Sequence, residues 1–213
     1  MSFVSLLGKS VLQDFLIRDA FLWRLRQREE CALTFDDGPH PVHTPAILDL
    51  LASHQIKATF FVVGETAARA PELLRRIAAE GHALGSHTLT HREFPSLGAR
   101  ELQHELDGCR DLIAQHTGVQ TRLVRPPRGR MSLRSLRQVA RSGYTLVHWS
   151  KTFSDYLQDG VAPLLARMRA RQLRARDIAL LHDTNAYTVE ALRSILPEWR
   201  ARGLSFRTIG QGA

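Results

Sequence analysis

Cysteine, lysine and long apolar runs are all scarce in this chain of 213 residues, and each shortage excludes something. Two cysteines are too few for a disulfide-built scaffold. Cys31 opens an apolar segment and Cys109 falls in a helical one, so both read as buried small residues in a reducing compartment, with no disulfide expected. Lys9, Lys57 and Lys151 are the only lysines, so the net charge of +8 comes from arginine. Arg167, Arg169, Arg171, Arg174 and Arg176 crowd one stretch, but no nucleic-acid motif or interleaved aromatics accompany them. A solvated basic helix fits better than a nucleic-acid partner. Internal repeats, low-complexity tracts and linkers are missing too, which leaves no basis for a second large domain.

At the N-terminus, Lys9, Asp14, Arg18 and Asp19 interrupt the apolar residues, so neither a signal peptide nor a membrane-spanning segment is expected. Val4, Leu7, Val11, Phe15 and Leu22 follow helical spacing, with Leu12 and Leu16 widening the stripe. This spacing predicts an amphipathic helix over residues 3–26, packed beneath the domain or resting on a membrane surface. The expected organisation is an N-terminal helical extension over 1–30 and one domain over 31–213. The expected location is cytoplasmic, with peripheral contact to the inner membrane face through residues 3–26.

What is present is a set of chemistry-bearing residues at strand ends. Cys31-Ala32-Leu33-Thr34-Phe35 is a short apolar run that stops at Asp36-Asp37-Gly38-Pro39, which reads as a buried strand followed by a turn. Neighbouring side chains at a strand end point in different directions, so the two carboxylates divide their roles: one binds metal and the other stays free as a base. About fifty residues later, His87 and His91 lie four apart, and a helical turn would bring both imidazoles to one side. One Asp and two His leave coordination positions open for water and substrate, as a catalytic metal site requires. Arg125 ends another apolar run before Pro126-Pro127, and His182 ends the run Ile178-Ala179-Leu180-Leu181. Strand-terminal Asp, His, Arg and His from four β segments are what a (β/α) barrel gathers at the C-terminal ends of its strands.

These residues carry a resemblance. Thr34-Phe35-Asp36-Asp37-Gly38-Pro39, Ser86-His87-Thr88-Leu89-Thr90-His91, Arg125-Pro126-Pro127, and the connecting Ala58-Thr59-Phe60-Phe61-Val62-Val63-Gly64 make the chain resemble the polysaccharide deacetylases of the NodB-homology type, carbohydrate esterase family four. The match runs from about Cys31 to about Ile209. The resemblance implies a metal-dependent hydrolase that removes an acyl group, N-acetyl above all, from an amino sugar or glycan. It implies Asp36 as catalytic base, Arg125 as the arginine paired with it, His182 as general acid and Asp155 as the carboxylate that orients the acid. It also implies Asp37, His87 and His91 as ligands of one divalent metal, zinc first, with cobalt, manganese or nickel as alternatives. The backbone N–H of Arg128 is implied as a second donor to the oxyanion.

Two positions depart from that pattern: Arg128 replaces a usual tyrosine and Tyr156 a usual tryptophan. With Trp149 they make up the expected substrate-binding set. A guanidinium at position 128 projects into water, pairs with a protein acid, or meets an anionic or lipid-linked substrate. The alternatives to an N-deacetylase are a deformylase or amidase, an O-acetyl esterase, and a non-catalytic glycan-binding module, although every catalytic position is filled.

The chain is short for a full eight-stranded barrel, so a distorted or incomplete α/β barrel is expected. Strands are expected near 31–35, 58–63, 83–86, 121–125, 144–149, 178–182 and 205–209. Helices are expected near 44–54, 66–80, 98–116, 132–142, 161–173 and 187–202, with Gly81, Gly118, Gly143 and Gly203 just past helical runs.

Overall fold

The computed structural model describes Gly8 and residues 20–210. Among them lie nine strands: β1 (Phe21–Leu22), β2 (Glu30–Asp36), β3 (Thr59–Val62), β4 (Ala83–Ser86), β5 (Leu123–Val124), β6 (Thr145–Val147), β7 (Lys151–Thr152), β8 (Ile178–His182) and β9 (Ser205–Phe206). The helices are α1 (His43–Ser53), α2 (Gly64–Ala68), α3 (Pro71–Ala79), α4 (Ala99–Thr117), α5 (Leu133–Arg141), α6 (Val161–Ala170) and α7 (Ala186–Ala201). Strand pairing is parallel throughout, in the order β1-β6-β5-β4-β3-β2-β8-β7, with β9 on the lower end of β2.

Period-two alternation sorts each strand between two faces. Cys31, Leu33 and Phe35 of β2, with Ala179 and Leu181 of β8, join the core under the helices. Ala32 and Ile178, one residue out of step, pack with Leu22, Leu25, Phe61 and Val147 in a cluster without helical residues, the filling of the curved sheet. Thr34, Asp36, Leu180 and His182 continue this inward row toward the C-terminal rim. The sheet is an open, curled barrel: residues 148–150 lead directly from β6, next to one end of the strand order, to β7 at the other. Below, Arg24 bridges Asp177, and the Leu25 N–H donates to the Arg176 carbonyl at 2.9 Å.

The incomplete barrel expected from length is what forms, and Gly81, Gly118, Gly143 and Gly203 each end a helix at positive φ. Two expectations need correction. The helix expected over 66–80 is two helices, because Pro71 starts α3 and holds Ala70 in a non-helical conformation. The amphipathic helix expected over 3–26 falls largely outside the described residues, and at its end Phe21–Leu22 is a strand in register with Leu146 and Val147. Both side chains are buried, Leu22 in the barrel filling and Phe21 under the helices, so Leu22 belongs to a sheet and not to a helical stripe. β7 was not foreseen, since Lys151-Thr152 carries no apolar alternation.

Candidate active site

The inward row of β2 ends at Asp36, and the chain then turns so sharply that Asp37 adopts φ 75°. Gly38 is required next to it, because a Cβ there would overlap the Asp183 carboxyl. Asp183 accepts a short hydrogen bond from the Thr44 hydroxyl, and burial pushes its carboxyl up to about 7. The two carboxylates therefore leave the strand in different directions, as alternation predicts. Asp36 stays inside, where Arg125 Nη1 donates to its Oδ1 at 2.8 Å, while Asp37 faces the opening.

Arg125 is completely buried inside the barrel. Its donors reach Asp36, the Thr34 hydroxyl at 2.6 Å, and the carbonyls of Val147 and His148, each at 3.2 Å. The guanidinium lies 4.2 Å from the Phe61 ring centroid and 5.9 Å from that of Trp149. A buried charge needs such saturation; removing one partner of a buried pair costs about 3–5 kcal/mol. Thr34 was missed from sequence, though its place two residues before Asp36 on the same face was a usable signal.

His87 and His91 do meet, their ring centroids 5.1 Å apart, but not on a helical turn. Residues 87–91 form an irregular loop with left-handed backbone at Thr88 and His91. Leu89 wedges this loop against Gly64 and Gly108. The buried Glu105 on α4 accepts from the Thr90 N–H at 2.8 Å and from its hydroxyl at 2.6 Å. Sequence gave no signal for Glu105, since an acidic residue in a long helix usually faces water. His87 Nδ1 lies 2.9 Å from the Arg125 carbonyl, which can only accept, so the proton sits on Nδ1 and Nε2 presents a lone pair.

Those lone pairs converge. Asp37 Oδ1 is 3.3 Å from His87 Nε2 and 3.1 Å from His91 Nε2, and one ligand atom from each of the three residues lies within 4.8 Å of the others. Burial would raise the Asp37 carboxyl, but when the imidazoles are protonated the hydrogen bonds of His87 and His91 and the charges of His87 and His182 hold it well below the usual range. The donor set of one carboxylate oxygen and two imidazole nitrogens suits a divalent cation of zinc type.

Across the opening, His182 Nδ1 meets Asp155 Oδ1 at 2.9 Å, and the His182 N–H donates to Asp155 Oδ2 at 2.7 Å. The Thr188 hydroxyl completes the carboxylate at 2.9 Å. Burial would lower the imidazole's pKa; the hydrogen bond and charge of Asp155, with Asp36 and Asp37 further off, overcome it and raise the value to about 9. His182 Nε2 then points into the pocket as a protonated donor, 3.9 Å from Asp37 Oδ2.

The pocket has a volume of about 470 Å³. Of the ten residues expected from sequence, Asp36, Asp37, His87, His91, His182, Arg128, Trp149 and Tyr156 line it, while Arg125 and Asp155 stand behind as supports. Leu180 adds an apolar floor. His40 and His43, just beyond Asp37 in the chain, stack on each other at 4.2 Å and do not line it. Tyr156 stands exposed at the rim, edge-on to His182. Arg128 and Gly129 are both left-handed, the ring of Trp149 covering Gly129 where a side chain would clash. Arg128 Nη1 lies 3.3 Å from Glu93 Oε1, so the guanidinium meets a protein acid while still facing the pocket.

The chain is similar to known proteins over most of its length. The family profile described as polysaccharide deacetylase matches residues 26–147. A chitooligosaccharide deacetylase of Sinorhizobium fredii is 36% identical, over 84% of this chain and 89% of that protein. The peptidoglycan-N-acetylmuramic acid deacetylase PdaA of Bacillus subtilis is 34% identical, over 90% of this chain and 74% of that one. Among solved structures, the Bc1960 peptidoglycan N-acetylglucosamine deacetylase superposes with a TM-score of 0.85 at 28% identity, covering 94% of each chain.

Proposed function

Because this chain belongs to the polysaccharide deacetylase family, we propose that its pocket hydrolyses the N-acetyl group of an amino sugar within a glycan, with Asp36 as base and His182 as acid. The observation that carries this reading is the convergence on one opening of three metal-type ligands, an arginine-held carboxylate and a carboxylate-held imidazole. A divalent cation at Asp37, His87 and His91, zinc by its preference for this donor set, would polarise the acyl oxygen and make water a better nucleophile at neutral pH.

The chain's own residues divide the rest of the chemistry. Asp36, fixed by Arg125, accepts the proton of water as its oxygen attacks the acyl carbon. The Arg128 N–H, which donates to none of the described residues, supports the developing oxyanion. The carbon–nitrogen bond then breaks, and His182 gives its proton to the departing nitrogen, leaving acetate and a free amine. Arg128 favours a substrate with an anionic group near the reacting amide, a reading supported by the relative named for N-acetylmuramic acid.

The test is mass spectrometry of acetylated and formylated glycans, neutral and acidic, incubated with zinc-loaded protein. Loss of one acetyl mass by the parent, none after chelation, and none with a zinc-retaining Asp36→Asn is the expected result. Intact acetyl groups throughout, with formyl groups removed, would instead establish a deformylase.

A further inference from the structure

Glu93 lies just beyond the histidine loop and joins two arginines from the facing turn. Its Oε2 accepts from Arg130 Nη1 at 3.0 Å, while its Oε1 is 3.3 Å from Arg128 Nη1. The hydrogen bond goes to Arg130; Arg128 is the looser partner and alone of the three lines the pocket. Both guanidiniums are mostly exposed, at 70% for Arg128 and 65% for Arg130, against 25% for Glu93. Two positive charges share one negative, so the rim carries a surplus charge beside Asp37 and His91. Exposed pairs of this kind are weak and exchange readily.

We propose that Glu93 is an internal stand-in for a carboxylate of the substrate and sets how strongly this enzyme prefers an acidic sugar. The inference rests on the reading of Arg128 given above. In the free protein the Glu93 carboxylate spans the two guanidiniums with one oxygen each, which shows that a group of carboxylate size and charge fits there. When an acidic substrate enters, its carboxylate replaces Glu93 at Arg128, and Glu93 falls back on Arg130, which already holds it by the better hydrogen bond. Arg130 is therefore a positioning residue that draws the competing acid away from Arg128. The ligand is a sugar carboxylate in a plane with the guanidinium.

The probe is an N-acetylated amino-sugar oligosaccharide bearing a carboxylate next to the amide, compared with its methyl ester. The readout is the ratio of KM values, ester over acid. Glu93→Gln removes the competing charge while keeping shape, and should raise that ratio about two- to fivefold, the range of one exposed ion pair. Arg130→Gln should move it the other way, because Glu93 then settles on Arg128, and that loss should disappear when Glu93→Gln is added. A merely structural role for Glu93 would not give opposite signs. If Arg128→Gln abolishes the acid preference while Glu93→Gln leaves it at the parental value, the stand-in proposal fails and the anionic-substrate reading survives. If the parent shows no preference for the acid, or Arg128→Gln leaves one intact, that reading falls as well.

Discussion

His182 shows how one neighbour decides a side chain's chemistry. A buried imidazole would ordinarily be neutral; Asp155, itself held by Thr188, raises its pKa to about 9. In the proposed reaction the proton given to the departing amine is therefore present across the neutral range and lost above about pH 9, so His182 should set the alkaline limb of kcat/KM. Asp155→Asn should move that limb down by about one unit or more, and a pH–rate profile checks it. The same shift links to stability. A histidine whose folded pKa exceeds its unfolded value stabilises fully below about 6.5, and the contribution disappears as pH rises through about 9. Asp155→Asn should thus cost on the order of 2 kcal/mol at pH 6 and much less at pH 10, as measured by denaturant unfolding.

The metal-type ligands depend on an element without regular structure. Residues 87–91 are held by Leu89 against two glycines and by Glu105 through Thr90. Such supports fix ligand direction, and losing one typically lowers metal affinity by about 10–100-fold. Glu105→Leu keeps the bulk but leaves the Thr90 N–H without its acceptor, so zinc affinity should fall within that range. Glu105→Gln retains an acceptor for this N–H and should lose less. Calorimetric zinc titration separates the two, and equal affinities in parent and Glu105→Leu would remove Glu105 from the site's support. The sequence suggested a helical turn here because four-residue spacing suits one, but left-handed backbone at Thr88 and His91 produces the same convergence by another path.

At the scale of the whole molecule, the barrel is completed from its N-terminal side. Phe21, Leu22 and Leu25 are buried against the sheet, and Arg24 reaches the buried Asp177 at 3.2 Å. Each such apolar side chain stabilises by about 1.5–3 kcal/mol. Deleting residues 1–25 should therefore lower Tm sharply, and by more than deleting 1–19, which keeps Phe21, Leu22 and Leu25. The shorter deletion also checks the proposed membrane contact. If full-length protein and the 1–19 deletion behave alike in flotation with anionic liposomes, residues 1–19 contribute no membrane contact. No helix among the described residues is long and apolar enough to cross a bilayer.

Sequence alone determined the chemistry and the class of fold. Asp36, Asp37, His87, His91 and His182 stand at strand ends or just beyond, and period-two alternation with helical punctuation fixes where strands end, so local pattern was enough to place them on one rim, with Arg125 just behind it. Tertiary structure decided what local pattern does not encode. Glu105, Thr188 and Glu93 act through contacts 15, 33 and 37 residues away in the chain, and no periodicity reports such distances. Phe21–Leu22 followed the same logic in reverse: its apolar spacing suited a helix, but strand β6 lacked a neighbour, and pairing with that open edge satisfied backbone groups that a local helix would have left unpaired.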